Sequence, residues 1–368
     1  MQKSEFLDRL QEGKLSRRQV HKILLGAGMA LTTIPLTRNA AAADDQAIYF
    51  TWSGYDDPGF FPAYVKKHGA NPQMPVFADS EEARTKIQNG FVVDIDHPCS
   101  TDVKRWTDVD LLQPIDTSRL SAWGTVFPQL KALPNTQIDG KQFFIPIDWG
   151  NTSILYRPDL VDIQEESWTL LWDERYKGQL SMAADGTSSV PLAGIVAGAK
   201  NPFDMTDAEV AKTKELLVKQ KPLLRFYWDS NSTVEQALAS GELVASDGWN
   251  SSVVALQGQG VPIKFMNPKE GIMSYCCGLV LTKNAPHLDK AYDLIDAMLQ
   301  PEAGKWLVTA MGYGHSNKAT FESLSDDELK AVNLPRDPTV FFEKSIFQQY
   351  IPNTDVIQKM FEEVKAGA

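Results

Sequence analysis

The spacing of apolar residues changes period repeatedly along the chain. "AIYFTW", residues 47 to 52, is a short β-branched and aromatic run, and the Gly, Asp and Pro of "SGYDDPG" close it, which predicts a strand and then a loop. "MPVFAD" predicts a second strand. Ser80 then caps a helix, "EEARTKIQNG", with acids in its first turn and Gly90 at its end. "FVVDIDHP" is another apolar run of strand length. A second region of the same kind starts near residue 152. "TDAEVAKTKELLVKQ" opens with a capping box at Thr206 and Glu209. "STVEQALASG" predicts a second box at Ser232 and Glu235 and a stop at Gly241, and "LLRFYWD" between them reads as a strand. Over 288 to 300, Ala291, Leu294, Ile295, Met298 and Leu299 fall on one helical stripe and are assigned to the core. Strands alternating with helices predict an α/β protein with mostly parallel sheets covered on both faces, whose ligands sit outside the carboxyl ends of the strands. Trp52 and Tyr55 stand at such an end. They either staple the loop to the core or form a wall of a site.

A chain of 368 residues predicts two compact domains, and 43% hydrophobic with 23% charged residues is a globular composition. The net charge of −11 disfavours nucleic acid, whose phosphates require a basic face. Residues 1 to 43 hold "LSRRQVHKILLGAGMALTTIP" and "NAAAADD". Paired arginines, a short apolar run and small residues at a cleavage point, in that order, predict a twin-arginine-type signal peptide. With seven basic and three acidic residues removed there, the exported body carries −15. The apolar run is too short to span a membrane. Cys99, Cys276 and Cys277 form no C-x-x-C or metal-spaced array, and no G-x-G-x-x-G or P-loop pattern occurs, so no cofactor and no metal are expected.

Six segments, "YFTWSGY", "FFIPIDWGNTSILY", "SWTLLWDERYKGQLSM", "ALASGELVASDGWN", "GVPIKFMNPKEG" and "MGYGHSNKAT", fall in an order and spacing that resembles the periplasmic spermidine- and putrescine-binding family of ABC importers. The resemblance covers nearly all of the exported chain. It implies a two-lobe, type II periplasmic-binding-protein fold with the ligand in the cleft. Lobe 1 would comprise 44–151 and 277–320, and lobe 2 152–276 and 321–368. In that family, polyamine methylenes lie between aromatic rings and ammonium groups meet carboxylates. By position, the resemblance makes Trp52, Tyr55, Trp249, Tyr275 and Tyr313 cleft rings and Gln348 a cleft glutamine.

The anions match less well. Gly54, Cys277 and Ser188 stand where family members carry acids, and Thr101 replaces a cleft aromatic, which leaves Asp185 alone among the expected carboxylates. Asp148 is either a compensating charge or a solvated, helix-capping acid. Cys276 and Cys277 are read as small apolar side chains lining a pocket, with a vicinal disulfide as the alternative. A pocket that keeps its rings and loses its acids fits one cationic group with an uncharged or carboxylate-bearing tail, which Ser100, Thr101, Ser188 and Gln348 could hydrogen-bond. The expected protein is a periplasmic monomer that captures a small cationic organic solute, passes it to an inner-membrane ABC permease and performs no chemistry on it. Two alternatives are a ferric-ion binder of the same fold and a secreted enzyme using His97 and Cys99.

Overall fold

The computed structural model describes residues 45–368 apart from residues 78, 79, 333 and 368, so the expected signal peptide lies outside the described residues. The principal strands are β1 (Tyr49–Trp52), β2 (Val76–Phe77), β3 (Ile95–Asp96), β4 (Ile145–Tyr156), β5 (Leu180–Ala183), β6 (Leu224–Trp228), β7 (Ala245–Trp249), β8 (Met273–Thr282), β9 (Gly314–His315) and β10 (Ile346–Phe347). They belong to one sheet whose main path runs β2-β1-β3-β8-β4-β7-β5-β6, with β9 added to β4 and β10 to β8.

The expected parallel pairing holds at both ends of this path, where β1 joins β2 and β3, and β5 joins β6 and β7. The centre differs. β4 and β8 run antiparallel to each other, and each also pairs antiparallel with its outer neighbour. Both strands are long, and β4 is buried at every position although it carries Asp148, Asn151, Thr152 and Ser153. Its polar side chains find partners locally: Ser153 donates to the Met266 carbonyl at 2.7 Å, and Asn151 accepts from Ser274 at 2.9 Å. Buried polar groups on a central strand are tolerable only when satisfied in this way.

Two pairs of cores lie on the faces of this sheet. In the first half, Tyr49, Phe60, Ile95, Ile147 and Leu294 pack on one side, and Phe50, Trp106, Phe127 and Trp149 on the other. Trp168, Met182, Leu192 and Phe361, and separately Leu155, Trp228, Leu238 and Leu256, do the same for the second half. β4 passes from the first set at Trp149 to the second at Ile154, and β8 from the second at Met273 to the first at Cys276. Beyond the expected crossing near 320 the chain still packs on the first-half clusters. Phe321, Leu324, Leu329, Leu334, Phe342 and Phe347 pack with Phe127 and Trp149 of the first half, while Ile346 and then Ile351, Ile357 and Phe361 pack with the second. The reason is the large Trp149 ring, which Phe341 stacks on at 5.6 Å and Phe342 meets edge-on at 4.9 Å.

Local signals explain most helix ends. The box at Thr206 and Glu209 opens the helix Asp207–Gln220, whose Glu209 carboxyl is held down at about 2 by backbone N–H groups. The second expected box does not form. Ser230, not Ser232, caps the helix Asn231–Ser240 through its hydroxyl, and Gly241 ends it in a left-handed conformation. Ser230 wins because it is the last extended residue after β6, where a cap belongs. The 288–300 stripe forms the helix Leu288–Met298, with all five stripe residues, Leu299 included, fully buried.

Asp247 fastens three strand ends in the second half. Its Oδ1 accepts from the Ala183 N–H at 3.0 Å and from Trp228 Nε1 at 2.8 Å, and burial pushes its carboxyl up to about 7. The folded chain therefore holds this proton more tightly than the unfolded chain. The contribution to stability is complete below about pH 4 and is lost as pH rises through about 7. Asp247→Asn keeps the Oδ1 acceptor without a charge. Urea denaturation should find the variant equal to the parent near pH 4 and more stable above pH 7, by up to about 4 kcal/mol; equal stability at both pH values would refute this account.

Candidate functional site

The candidate site is built on the first-half side of β4 and β8. Tyr49 and Thr51 share a face of β1, since residues two apart in a strand point the same way. Both hydroxyls reach His97, which follows β3. Tyr49 Oη lies 2.7 Å and Thr51 Oγ1 3.2 Å from Nδ1, and Thr51 donates to Tyr49 at 2.8 Å. The opposite ring nitrogen, Nε2, lies 2.9 Å from Asp148 Oδ1, and the Tyr55 hydroxyl donates to Asp148 Oδ2 at 3.0 Å. Asp148, His97, Tyr49 and Thr51 are all buried. Asp148 is thus neither a solvated acid nor a helix cap; it is a carboxylate in the interior with two hydrogen-bond partners.

Rings close around it. Tyr55 meets His97 edge-on at 4.8 Å, and Tyr275 meets Tyr313 edge-on at 6.3 Å, with the Tyr275 hydroxyl donating to that of Tyr313. Burial first, and the Asp148 charge after it, hold the Tyr55 phenol well above its ordinary range. For Tyr275 the causes are burial, then Tyr313, then Asp148. Tyr275 can lie across β4 because its register partner is Gly150, where any side chain would overlap the phenol ring. Tyr313 also receives a hydrogen bond from Ser251 of the second half, and nearby Asn250 donates to the Gly312 carbonyl at 3.0 Å. The two halves touch at these rings.

The cysteines pair differently from either expectation. Cys277 forms a disulfide with Cys99, and Cys276 is free and buried. Neighbours on a strand point to opposite faces, so Cys276 turns into the first-half core while Cys277 faces the loop after β3. Burial pushes the Cys276 thiol well up, and Cys99, tied in the disulfide, offers no thiol to the enzyme alternative. Cys277 is the register partner of Asp148. The position that lacks an expected acid therefore lies directly across the ladder from one, about 5 Å away.

The remaining candidates are spread more widely. Trp52 is half-buried and donates from Nε1 to the His97 carbonyl at 2.7 Å, so it also supports the histidine loop. Trp249 packs edge-on against Trp228 at 5.9 Å in the second half. Asp185 caps the helix Gly186–Ala197: its oxygens accept from the backbone and hydroxyls of Thr187 and Ser188 and from Gln358. Ser188 is thereby engaged with Asp185 and not directed elsewhere. Ser100 is buried, its N–H donating to the Cys276 carbonyl at 2.8 Å. Thr101 and Gln348 share a cavity of about 80 Å3 with Arg105, Thr187 and Tyr350. Among the described residues no group of three or more His, Cys, Asp or Glu side chains is arranged to hold a metal ion.

Residues 39–335 match the model of a family described as bacterial extracellular solute-binding protein. The chain belongs to this family. Among the relatives of this solute-binding protein, the putrescine/agmatine-binding protein of Pseudomonas aeruginosa is 28% identical over 346 residues, covering 88% of this chain and 91% of the relative. The spermidine/putrescine-binding periplasmic protein of Escherichia coli is 26% identical over 350 residues, covering 94% and 98%. Among solved structures, the spermidine/putrescine ABC transporter substrate-binding protein PotD from Streptococcus pneumoniae superposes with a TM-score of 0.74 at 21% identity, covering 87% of this chain and 98% of that one. MotA from A. tumefaciens, in complex with glucopine, gives 0.71 at 14%, covering 87% and 99%. The fold is the two-lobe, type II periplasmic-binding-protein fold. The relatives compared are binding proteins, and no helix among the described residues is long and apolar enough to cross a membrane.

Four partners of the site were not singled out as such from sequence: Tyr49, Thr51, His97 as a hydrogen-bonding residue, and Cys99 as a cross-link. A signal existed for the first three. Hydroxyls at i and i+2 of an apolar strand, and a histidine at the end of another, are polar groups that burial forces to meet.

The disulfide closes a separation of 178 residues and holds the histidine loop against β8. Removing it with Cys99→Ser should cost about 2–5 kcal/mol, read from the urea midpoint. Reductant should bring the parent to the same midpoint; a parent indifferent to reductant would contradict the cross-link.

Proposed function

We propose that this solute-binding protein captures a small organic solute bearing one cationic group, in the periplasm, and presents it to the permease of an ABC importer. The observation that carries the reading is the buried Asp148 carboxylate among Tyr55, Tyr275 and Tyr313. A carboxylate there supplies the charge, and ring faces attract an alkylammonium through their quadrupoles, worth about 0.5–2 kcal/mol each. Trp52 and Trp249 extend the aromatic wall in the two halves. The names of the relatives, which bind putrescine, agmatine or spermidine, support an amine.

A second ammonium has a weaker claim. Asp185 already accepts from Thr187, Ser188 and Gln358, and Asp247 is committed to strand ends. A solute with one cation and a neutral or carboxylate tail leaves no buried ammonium unpaired, and Ser100, Thr101 and Gln348 stand as candidates for the tail, Ser188 being held by Asp185. Lobe closure over the solute shifts the population to the form a permease reads, with no bond of the solute made or broken.

Fluorescence of the nine tryptophans reports the test. Titration with n-butylammonium, 4-aminobutyrate, putrescine and spermidine should give saturation by a singly cationic solute near 1 μM, about −8 kcal/mol. Asp148→Asn should weaken it by about 2–5 kcal/mol. Saturation only by spermidine, unaffected by Asp148→Asn, would overturn the reading.

A further inference from the structure

The hydrogens of the Thr51, Tyr49, His97 and Asp148 chain can all be paired only when His97 Nδ1 accepts. Thr51 donates to Tyr49, so the single Tyr49 hydrogen is directed at His97 Nδ1, which must accept it. The imidazole proton then sits on Nε2 and is donated to Asp148 Oδ1, while Tyr55 donates to Oδ2. Every donor points toward the carboxylate. In an imidazolium, Nδ1–H would compete with Thr51 for the Tyr49 oxygen and strand the Tyr49 hydrogen in a dry interior. A carboxyl proton shared toward Nε2 would put a hydrogen on Nδ1 and strand the same hydroxyl.

We infer that Tyr49 and Thr51 hold His97 neutral as its Nε2–H tautomer, so that Asp148 keeps a whole negative charge for one cation, and that protonating His97 abolishes the site's preference for cations. His97 is a specificity-determining residue acting through Asp148. The inference rests on the cationic-solute reading above. Two of the carboxylate's four acceptor directions are used by Tyr55 and His97, and the others remain for an ammonium. When His97 gains a proton it becomes the counter-ion itself, and an incoming cation meets a neutral pair.

The other titratable groups around this chain do not mimic the effect. Tyr49 on β1, Tyr55 in the following loop, Tyr275 and Cys276 on β8 and Tyr313 before β9 are all pushed up by burial and stay neutral between pH 5 and 8. His315 on β9 is pushed down to about 4 and is neutral there too. Asp56 lies toward the surface of the loop, and Asp96 on β3 is buried with its carboxyl pushed well up. Asp102 near 6, whose N–H donates to the Cys99 carbonyl, and Asp247 near 7 also titrate in this window. Any effect of those acids survives substitution of His97.

The test uses the full chain, with n-butylammonium as the probe because its amine remains protonated throughout. Nitrogen-15 NMR of labelled histidine, assigned with His97→Gln, should show His97 as the neutral Nε2–H tautomer at pH 8. Calorimetry should give a butylammonium affinity that is constant above the His97 transition and falls about tenfold per pH unit below it. In His97→Gln the fall should vanish. In the double variant Tyr49→Phe/Thr51→Val, where Nδ1 loses both hydroxyls within reach, it should move to higher pH, and this variant decides if the glutamine variant does not fold. Imidazolium at pH 8 with butylammonium bound, or an acid limb unchanged in both variants, overturns the inference while sparing the cationic-solute reading. Failure of butylammonium to bind at pH 8, with His97 neutral, overturns that reading and the gating with it.

Discussion

A carboxylate inside a protein must be met by hydrogen bonds, by an opposite charge or by a proton, because nothing else replaces the water it has lost. Asp148 sits on a long strand buried at every position, and the arrangement around it follows from that requirement. Tyr55 reaches it from the loop after β1 and His97 from the loop after β3. Tyr49 and Thr51 orient the imidazole, and Trp52 holds the histidine carbonyl. The disulfide then pins the same loop to β8. The loops after β1 and β3 are therefore organised around one oxygen pair.

The resemblance leads one to expect an acid at Cys277, and the structure has one directly across the ladder from it, at Asp148. Because register partners on an antiparallel pair project to the same face, the charge lies one strand spacing from the expected position and on that face. Cys277 itself carries half of a cross-link.

Much of the fold was legible in sequence because period and caps are local properties. The stripe from Ala291 to Leu299 and the box at Thr206 read correctly, since each depends on residues three or four apart. The cap at Ser230 was misplaced by two residues because two serines compete in one short segment, and only the end of β6 decides between them. Long-range facts were less visible. The pairing of Cys99 with Cys277, and the packing of Phe321 to Phe342 on Trp149, depend on registers that no local pattern encodes. At the site, single residues such as Tyr55 and Asp148 could be singled out, while the network joining them spans residues 49 to 148 and exists only once β1, β3 and β4 are aligned.

The way the two halves exchange the chain constrains how the molecule can be made. The first half takes residues up to Trp149, waits while the second half is laid down, and resumes at Cys276. The second half in turn lacks Phe361 and its neighbours until the helix Thr354–Ala366 has been synthesised. The first-half cores therefore cannot be complete before Phe342 is made, nor the second before the helix Thr354–Ala366. Until then a nascent chain carries incomplete apolar faces and must avoid association with other chains.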